Sequence, residues 1–122
     1  MAQTGSRVLG TPHYMSPEQA SGKPITNLTD IYSLGATFYH VLSGAPLFDG
    51  STPEQIMIKH VRERPTPLSN LAPDIPEDLA HIVDRCLEKD PGKRYPSAEA
   101  LHIALAKAIN RHYPGVIPNS VE

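Results

Sequence analysis

With one cysteine in 122 residues, Cys86, the chain cannot form an intrachain disulfide. That cysteine sits among Ile82, Val83 and Leu87 in a helical pattern, which reads as a buried, inert thiol. Neither sign of charge dominates. Eleven Lys and Arg stand against 13 Asp and Glu, a balance that gives no argument for a nucleic-acid or anionic-membrane partner. No segment approaches the roughly 18 consecutive apolar residues of a membrane span, and residues 1–30 hold no basic stretch followed by an apolar run. These absences predict a soluble, cytoplasmic chain in a reducing compartment. The six histidines, His13, His40, His60, His81, His102 and His112, lack metal-ligand spacing, so no metal site is expected and they read as solvated or capping groups. No segment alternates convincingly enough for a strand, and no internal repeat is visible. The length allows one hydrophobic core without requiring a second.

What the chain does have is punctuation. Thirteen prolines fall between periodic segments instead of forming a low-complexity tract. From Met1 to about Thr29, Gly5, Gly10, Pro12, Pro17, Gly22 and Pro24 break any regular element, which predicts a long irregular arm. Thr29 then reads as an N-cap ahead of Asp30. The helix that follows carries Ile31, Leu34, Phe38, Val41 and Leu42 at core spacing, with Tyr32, Ala36, Thr37 and Tyr39 on a weakly polar opposite face, and stops at Ser43-Gly44. Thr52-Pro53-Glu54-Gln55 combines a capping box with proline at the first helical position and predicts a second helix to about Arg64. Past a proline-rich connection, Leu79, Ile82, Val83, Cys86 and Leu87 mark a third helix, ended by Asp90-Pro91-Gly92. Leu101, Ala104, Leu105, Ala108 and Ile109 mark a fourth. The expected fold is therefore all-α, about four helices behind an irregular arm, with a unit at 1–112 and a flexible tail at 113–122.

Four segments carry a resemblance. Gly10-Thr11-Pro12-His13-Tyr14-Met15-Ser16-Pro17-Glu18-Gln19 resembles the end of the activation segment of serine/threonine protein kinases, with Ser-Pro-Glu where the family has Ala-Pro-Glu, a variant that looks like bacterial members. Thr29-Asp30-Ile31-Tyr32-Ser33-Leu34-Gly35 is similar to the start of the central helix of the kinase large lobe. Ser43-Gly44-Ala45-Pro46-Leu47-Phe48 resembles the turn after it. Cys86 to Pro96, with Asp90-Pro91, two residues and Arg94, is similar to the loop between the last two large helices. Each alone is weak; four in the family's order, with helices between them, are specific. Thr11 followed by His13-Tyr14, and not by a Lys-Trp pair, points to the serine/threonine branch.

The resemblance implies roles and an omission. Gly10, Thr11 and Tyr14 would position the substrate hydroxyl; Glu18 and Arg94 would form a structural ion pair; Asp30 would anchor the catalytic loop; Thr4 and Ser6 stand where activating phosphorylation falls in the family. The bland readings are a Gly-Thr-Pro turn, two solvated charges, a helix-capping carboxylate and an unmodified terminus. The Gly-rich loop, strand lysine, His-Arg-Asp and Asp-Phe-Gly of phosphoryl transfer do not occur, and the only aspartates before Glu54 are Asp30 and Asp49. By this resemblance the parent domain would use ATP and Mg²⁺ to phosphorylate serine or threonine of protein substrates, while this chain alone would bind neither cofactor and have no catalytic residue. Its expected partners are a protein substrate or the N-terminal kinase half. Two rival readings are a protein-binding module that uses the helix at 52–64, and a small helical domain unrelated to kinases.

Overall fold

The computed structural model describes residues 12–116. Thr4, Ser6, Gly10 and Thr11 lie outside the described residues. Those described form six α-helices and two short 3-10 turns with no strand: α1 (Pro17–Ala20), α2 (Asn27–Ser43), α3 (Pro53–Arg62), α4 (Leu68–Leu71), α5 (Glu77–Cys86) and α6 (Ala98–His112), with the turns at Pro12–Tyr14 and Pro91–Lys93. The all-α expectation holds, and α2, α3, α5 and α6 are the four expected helices. No helix of the described residues is long and apolar enough to cross a membrane.

Local chemistry accounts for the starts and stops. Part of the expected irregular arm is helical: Ser16 Oγ accepts from the Gln19 amide at 3.1 Å while Gln19 Oε1 accepts from the Ser16 amide at 3.0 Å, a reciprocal cap with Pro17 at the first helical position. That is the Ser-Pro-x-Gln counterpart of Thr52-Pro53-Glu54-Gln55, so the signal for α1 is present in the sequence. Helix α2 starts earlier than a Thr29 cap implies. Thr26 Oγ1 accepts from the Leu28 amide at 3.1 Å, and Thr29 Oγ1 accepts from the Thr26 amide at 3.1 Å, which makes Thr29 the third helical residue of the box. The helix ends where Gly44 takes φ 81°, a left-handed conformation that costs glycine little. At α3, Thr52 Oγ1 accepts from the Gln55 amide at 3.2 Å, but the Gln55 side chain caps the Ser51 amide at 2.8 Å, one residue earlier than the expected box. Helix α6 is capped by Ser97 and ends at His112; there Arg111 and His112 both bind Asp78 in the first turn of α5. Residues 113–116 of the expected tail form an exposed turn.

Helix α2 is the axis of the fold, packed against α5, which in turn packs against α6. One core cluster joins Tyr32, Ala36 and Tyr39 of α2 to Leu47, Phe48, Leu68, Ala80, Val83 and Leu87; a second joins Ile31 to Ile82, Cys86, Tyr95, Leu101 and Ala108. The face of α2 that is buried is not the one its leucines suggest. Tyr32, Gly35, Ala36 and Tyr39 face inward, while Leu34, Val41 and Leu42 are exposed. Two satisfied hydroxyls make this feasible: Tyr39 donates to the Thr66 carbonyl at 2.6 Å, and Tyr32 pairs with His60 at 2.7 Å, so each ring is buried without stranding its polar tip. Gly35 and Ala36 let α5 come close.

Candidate functional site

Glu18 lies in the short α1 and Arg94 just past the Pro91–Lys93 turn, both buried. Their side chains meet in a two-pronged contact. Arg94 Nη1 donates to Glu18 Oε2 at 2.7 Å and Nη2 to Glu18 Oε1 at 2.8 Å. Every other N–H of the guanidinium is also used: Nη1 on the Leu28 carbonyl at 2.7 Å, Nη2 on the Lys89 carbonyl at 3.3 Å, and Nε on the Glu88 carbonyl at 2.7 Å. The group sits over the Tyr32 ring, 5.0 Å from its centroid. Glu18 Oε2 takes a further bond from the Thr29 hydroxyl at 2.9 Å. Burial alone would push the Glu18 carboxyl up, but the bonds from Arg94, a backbone amide and Thr29 outweigh it and hold it below the usual carboxylate range. The arrangement ties α1, the start of α2 and the α5–α6 connection to one cation. The Thr29 hydroxyl serves both ends at once, accepting from the Thr26 amide in the cap of α2 and donating to this carboxylate.

Immediately before α1, the Pro12–Tyr14 turn packs on α2 and α3. Its Tyr14 carbonyl accepts from Ser33 Oγ at 2.7 Å, and its hydroxyl lies 2.8 Å from His40 Nδ1 with the two rings stacked. His13 Nε2 lies 3.1 Å from Asp49 Oδ1, and that bond holds the Asp49 carboxyl below its ordinary range. Thus Tyr14, among the expected substrate-positioning residues, is fixed by two contacts to α2. Asp30 stands exposed in the first turn of α2 and is not among the partners of Arg94.

His60 departs from the solvated or capping role expected of the histidines. His60 of α3 is fully buried, with Nδ1 2.7 Å from the Tyr32 hydroxyl and its ring edge-on to Phe48 at 5.1 Å. Lys89 Nζ donates to its carbonyl at 2.7 Å. Burial first, then the Lys89 charge, lowers its pKa to about 4, so the imidazole is neutral at pH 7. The available signal was its place four residues after Ile56, the other buried residue of α3, on one helix face.

A family model described as protein kinase domain matches residues 2–105. The chain belongs to the protein kinase domain family. Several kinases similar to it are bacterial and of the serine/threonine type: a probable serine/threonine-protein kinase of Clostridium acetobutylicum is 38% identical over 109 residues, covering 89% of this chain and 17% of that protein. The PknB kinase of Mycobacterium tuberculosis is 39% identical over 107 residues (88% of this chain, 17% of that protein), and the pkn2 kinase of Myxococcus xanthus 46% over 103 residues (83% and 12%). Among solved structures, the autoinhibited serine kinase domain of titin superposes with a TM-score of 0.71 at 31% identity, covering 90% of this chain and 35% of that one. The chain thus spans less than a fifth of the length of these curated kinases, and its helices are those of a protein-kinase large lobe. Membership removes the reading of an unrelated helical domain. Protein kinases work with ATP and Mg²⁺. Among the described residues no three His, Cys, Asp or Glu side chains converge as a metal site, and the sequence holds none of the phosphate-binding motifs.

Proposed function

We propose that this chain is the C-terminal part of the large lobe of a serine/threonine kinase whose whole domain moves the γ-phosphate of ATP to protein serine or threonine, and that it is silent by itself. The observation that carries this reading is the buried Glu18–Arg94 pair, which joins the Ser-Pro-Glu helix to the α5–α6 connection across 76 positions. Two solvated charges would not align both carboxylate oxygens with both terminal nitrogens in a dry setting. Around that pair the chain offers scaffolding chemistry: Gly10, Thr11 and Tyr14 as the surface that orients the accepting hydroxyl, Asp30 as the anchor that accepts hydrogen bonds from the catalytic loop, and Thr4 and Ser6 as positions for activating phosphate. The unit is 1–112 with a separate tail at 113–122, the setting is cytoplasmic, and the partners are a protein substrate and the N-terminal kinase half, with no nucleic acid.

The test is complementation. The chain alone should neither bind ATP·Mg²⁺ nor incorporate labelled phosphate into itself or a generic protein. Mixed with or fused to an N-terminal kinase half, it should support transfer to serine or threonine, and Arg94→Ala should abolish that. Phosphate incorporation by the chain alone, or a complemented domain that stays inert with both halves folded, would overturn the reading.

A further inference from the structure

The Pro12–Tyr14 turn is held by two different elements. From α2, Ser33 Oγ binds the Tyr14 carbonyl and His40 the Tyr14 hydroxyl. From the α2–α3 connection comes Asp49, whose Oδ1 lies 3.1 Å from His13 Nε2. That bond holds the Asp49 carboxyl below its ordinary range, so at neutral pH the group is ionised and can only accept. His13 Nε2 therefore carries a hydrogen, and it donates whether the imidazole is neutral or charged. An exposed ion pair is ordinarily worth little, because two side chains must be ordered to make it. Asp49 is exposed but departs from that case. Phe48, its neighbour, is buried in the core cluster that includes Tyr32 and Tyr39. The Asp49 carbonyl accepts from Lys59 Nζ of α3, and Oδ1 accepts from the Gly50 amide at 2.9 Å, which fixes the carboxylate on its own backbone. Gly50 in turn lies so near α3 that a Cβ placed on it would stand 3.0 Å from the Gln55 Cβ, and Gln55 Oε1 accepts from the Ser51 amide. The carboxylate is thus placed from both sides independently of His13, and the ordering cost of the bond falls on the imidazole side chain alone.

We propose that Asp49 is a positioning residue for the Pro12–Tyr14 turn: an anchored carboxylate that takes the His13 Nε2–H and so fixes His13 while α2 fixes Tyr14. With two consecutive side chains held by different elements, the turn keeps one orientation on the surface of α2 and α3. The consequence for substrate rests on the proposed reading of Gly10, Thr11 and Tyr14 as the substrate-positioning surface; the tether itself does not.

A double-mutant cycle tests the tether. In the 122-residue chain, Asp49→Ala and His13→Ala should each exchange the Met15 amide, which bonds the Pro12 carbonyl, about threefold faster relative to α6 amides, the scale of one exposed charged pair. The double variant should be no faster than either alone. A product of the two effects, about ninefold, would mean that Asp49 and His13 act independently, and it overturns the proposal. No change in either single variant places the pair with ordinary solvated charges and overturns it too, as does equal acceleration in α6, which marks a global effect. Asp49→Asn keeps an acceptor oxygen for His13 and Gly50 and should recover much of the loss; an asparagine variant as fast as alanine sinks the tether. In the complemented kinase either alanine variant should raise KM for a peptide substrate about threefold, and no further when combined, with kcat and KM for ATP unchanged. An unchanged peptide KM in an active kinase refutes the link to substrate. An inactive wild-type complement instead refutes the proposed function, while the exchange cycle still decides the tether.

Discussion

Gly35 on α2 and Cys86 on α5 approach so closely that a Cβ placed on Gly35 would lie 2.5 Å from the Cys86 Cβ, with Leu87 side-chain atoms at 3.4 and 3.5 Å. This contact sets the spacing of the helix pair on which both core clusters are built. Gly35→Ala should therefore destabilise the chain by about 1–3 kcal/mol, the usual cost of overpacking, despite alanine's better helix propensity of about 1 kcal/mol. Urea melts of the two forms measure it. A stabilised alanine variant would show that α2 and α5 can part at no cost.

The same burial makes Cys86 unreactive. Removal from water pushes its thiol up to about 12, against a smaller pull from Arg85. A thiol reagent at pH 8 should label the chain only after denaturant unfolds it. Rapid labelling of the native form would mean that the α2–α5 seam opens.

Arg94 concentrates more stability than any surface ion pair could. Arg94→Ala leaves the Glu18 carboxylate buried without its cation and takes a donor from three backbone carbonyls, an expected loss of about 3–5 kcal/mol. Arg94→Lys should recover only part of it, since an ammonium cannot span both carboxylate oxygens and the flanking carbonyls at once. Denaturant melts should rank the forms wild type, lysine, alanine. A loss under about 1 kcal/mol for the alanine variant would place the pair with exposed ones.

Legibility in the sequence followed the range of the interactions. Helix α3 was readable because Thr52, Pro53 and Gln55 are its own neighbours, and Gly44 marked the end of α2 for the same reason. The start of α2 lies earlier than Thr29 because Thr26 takes the cap, with Thr29 as its reciprocal partner at the third helical position and its hydroxyl also bound to a carboxylate 11 positions away. Which face of α2 is buried could not be read from its apolar spacing. Leucine outranks tyrosine as core only until Thr66 and His60 satisfy the tyrosine hydroxyls, and both partners are 27 or 28 positions distant. His60 was missed for that reason. The Glu18–Arg94 pair was anticipated through the family's motif order, and nothing in local pattern would have singled it out. Asp30 is exposed, so its carboxylate carries no cost of burial.

Acid should unfold the chain in two stages. Neutral His60 faces the positive Lys89 and the turn bearing His13, and its pKa is about 4 against 6.5 when exposed. Between those values the unfolded chain binds a proton that the folded chain refuses, so stability falls as pH drops from about 6.5 to 4, by about 3 kcal/mol in total. Glu18, whose pKa is lowered in the fold, adds stability that is present above its unfolded value and disappears as pH falls further through the folded one. Melts across this range should show His60→Gln flattening the upper stage alone. An identical slope in that variant would remove His60 as its cause.

The last expectation concerns the face of α2 that these helices leave open. Leu34 is 39% exposed, Leu42 43% and Val41 75%, with Phe38 partly covered beside them, although this is the stripe whose spacing reads as core. Fully burying such a side chain is worth about 1.5–3 kcal/mol, so three left in water forgo a sum comparable to the roughly 5–15 kcal/mol that holds a typical domain together. The chain by itself should therefore bind ANS and melt at low temperature. Joined to the N-terminal kinase half, it should lose the ANS signal and melt higher, as expected of an apolar face that gains cover. Val41→Ser separates the two states. In the chain alone it should reduce ANS binding at little cost, within about 0.5 kcal/mol as for other surface changes. In the joined domain it should cost about 1–3 kcal/mol, as a hydroxyl would then be buried where a methyl packed. A sharp melt without ANS binding in the chain alone, or a Val41→Ser cost equal in both settings, would mean that the open face is an ordinary solvated surface and that the six helices close a sufficient core unaided.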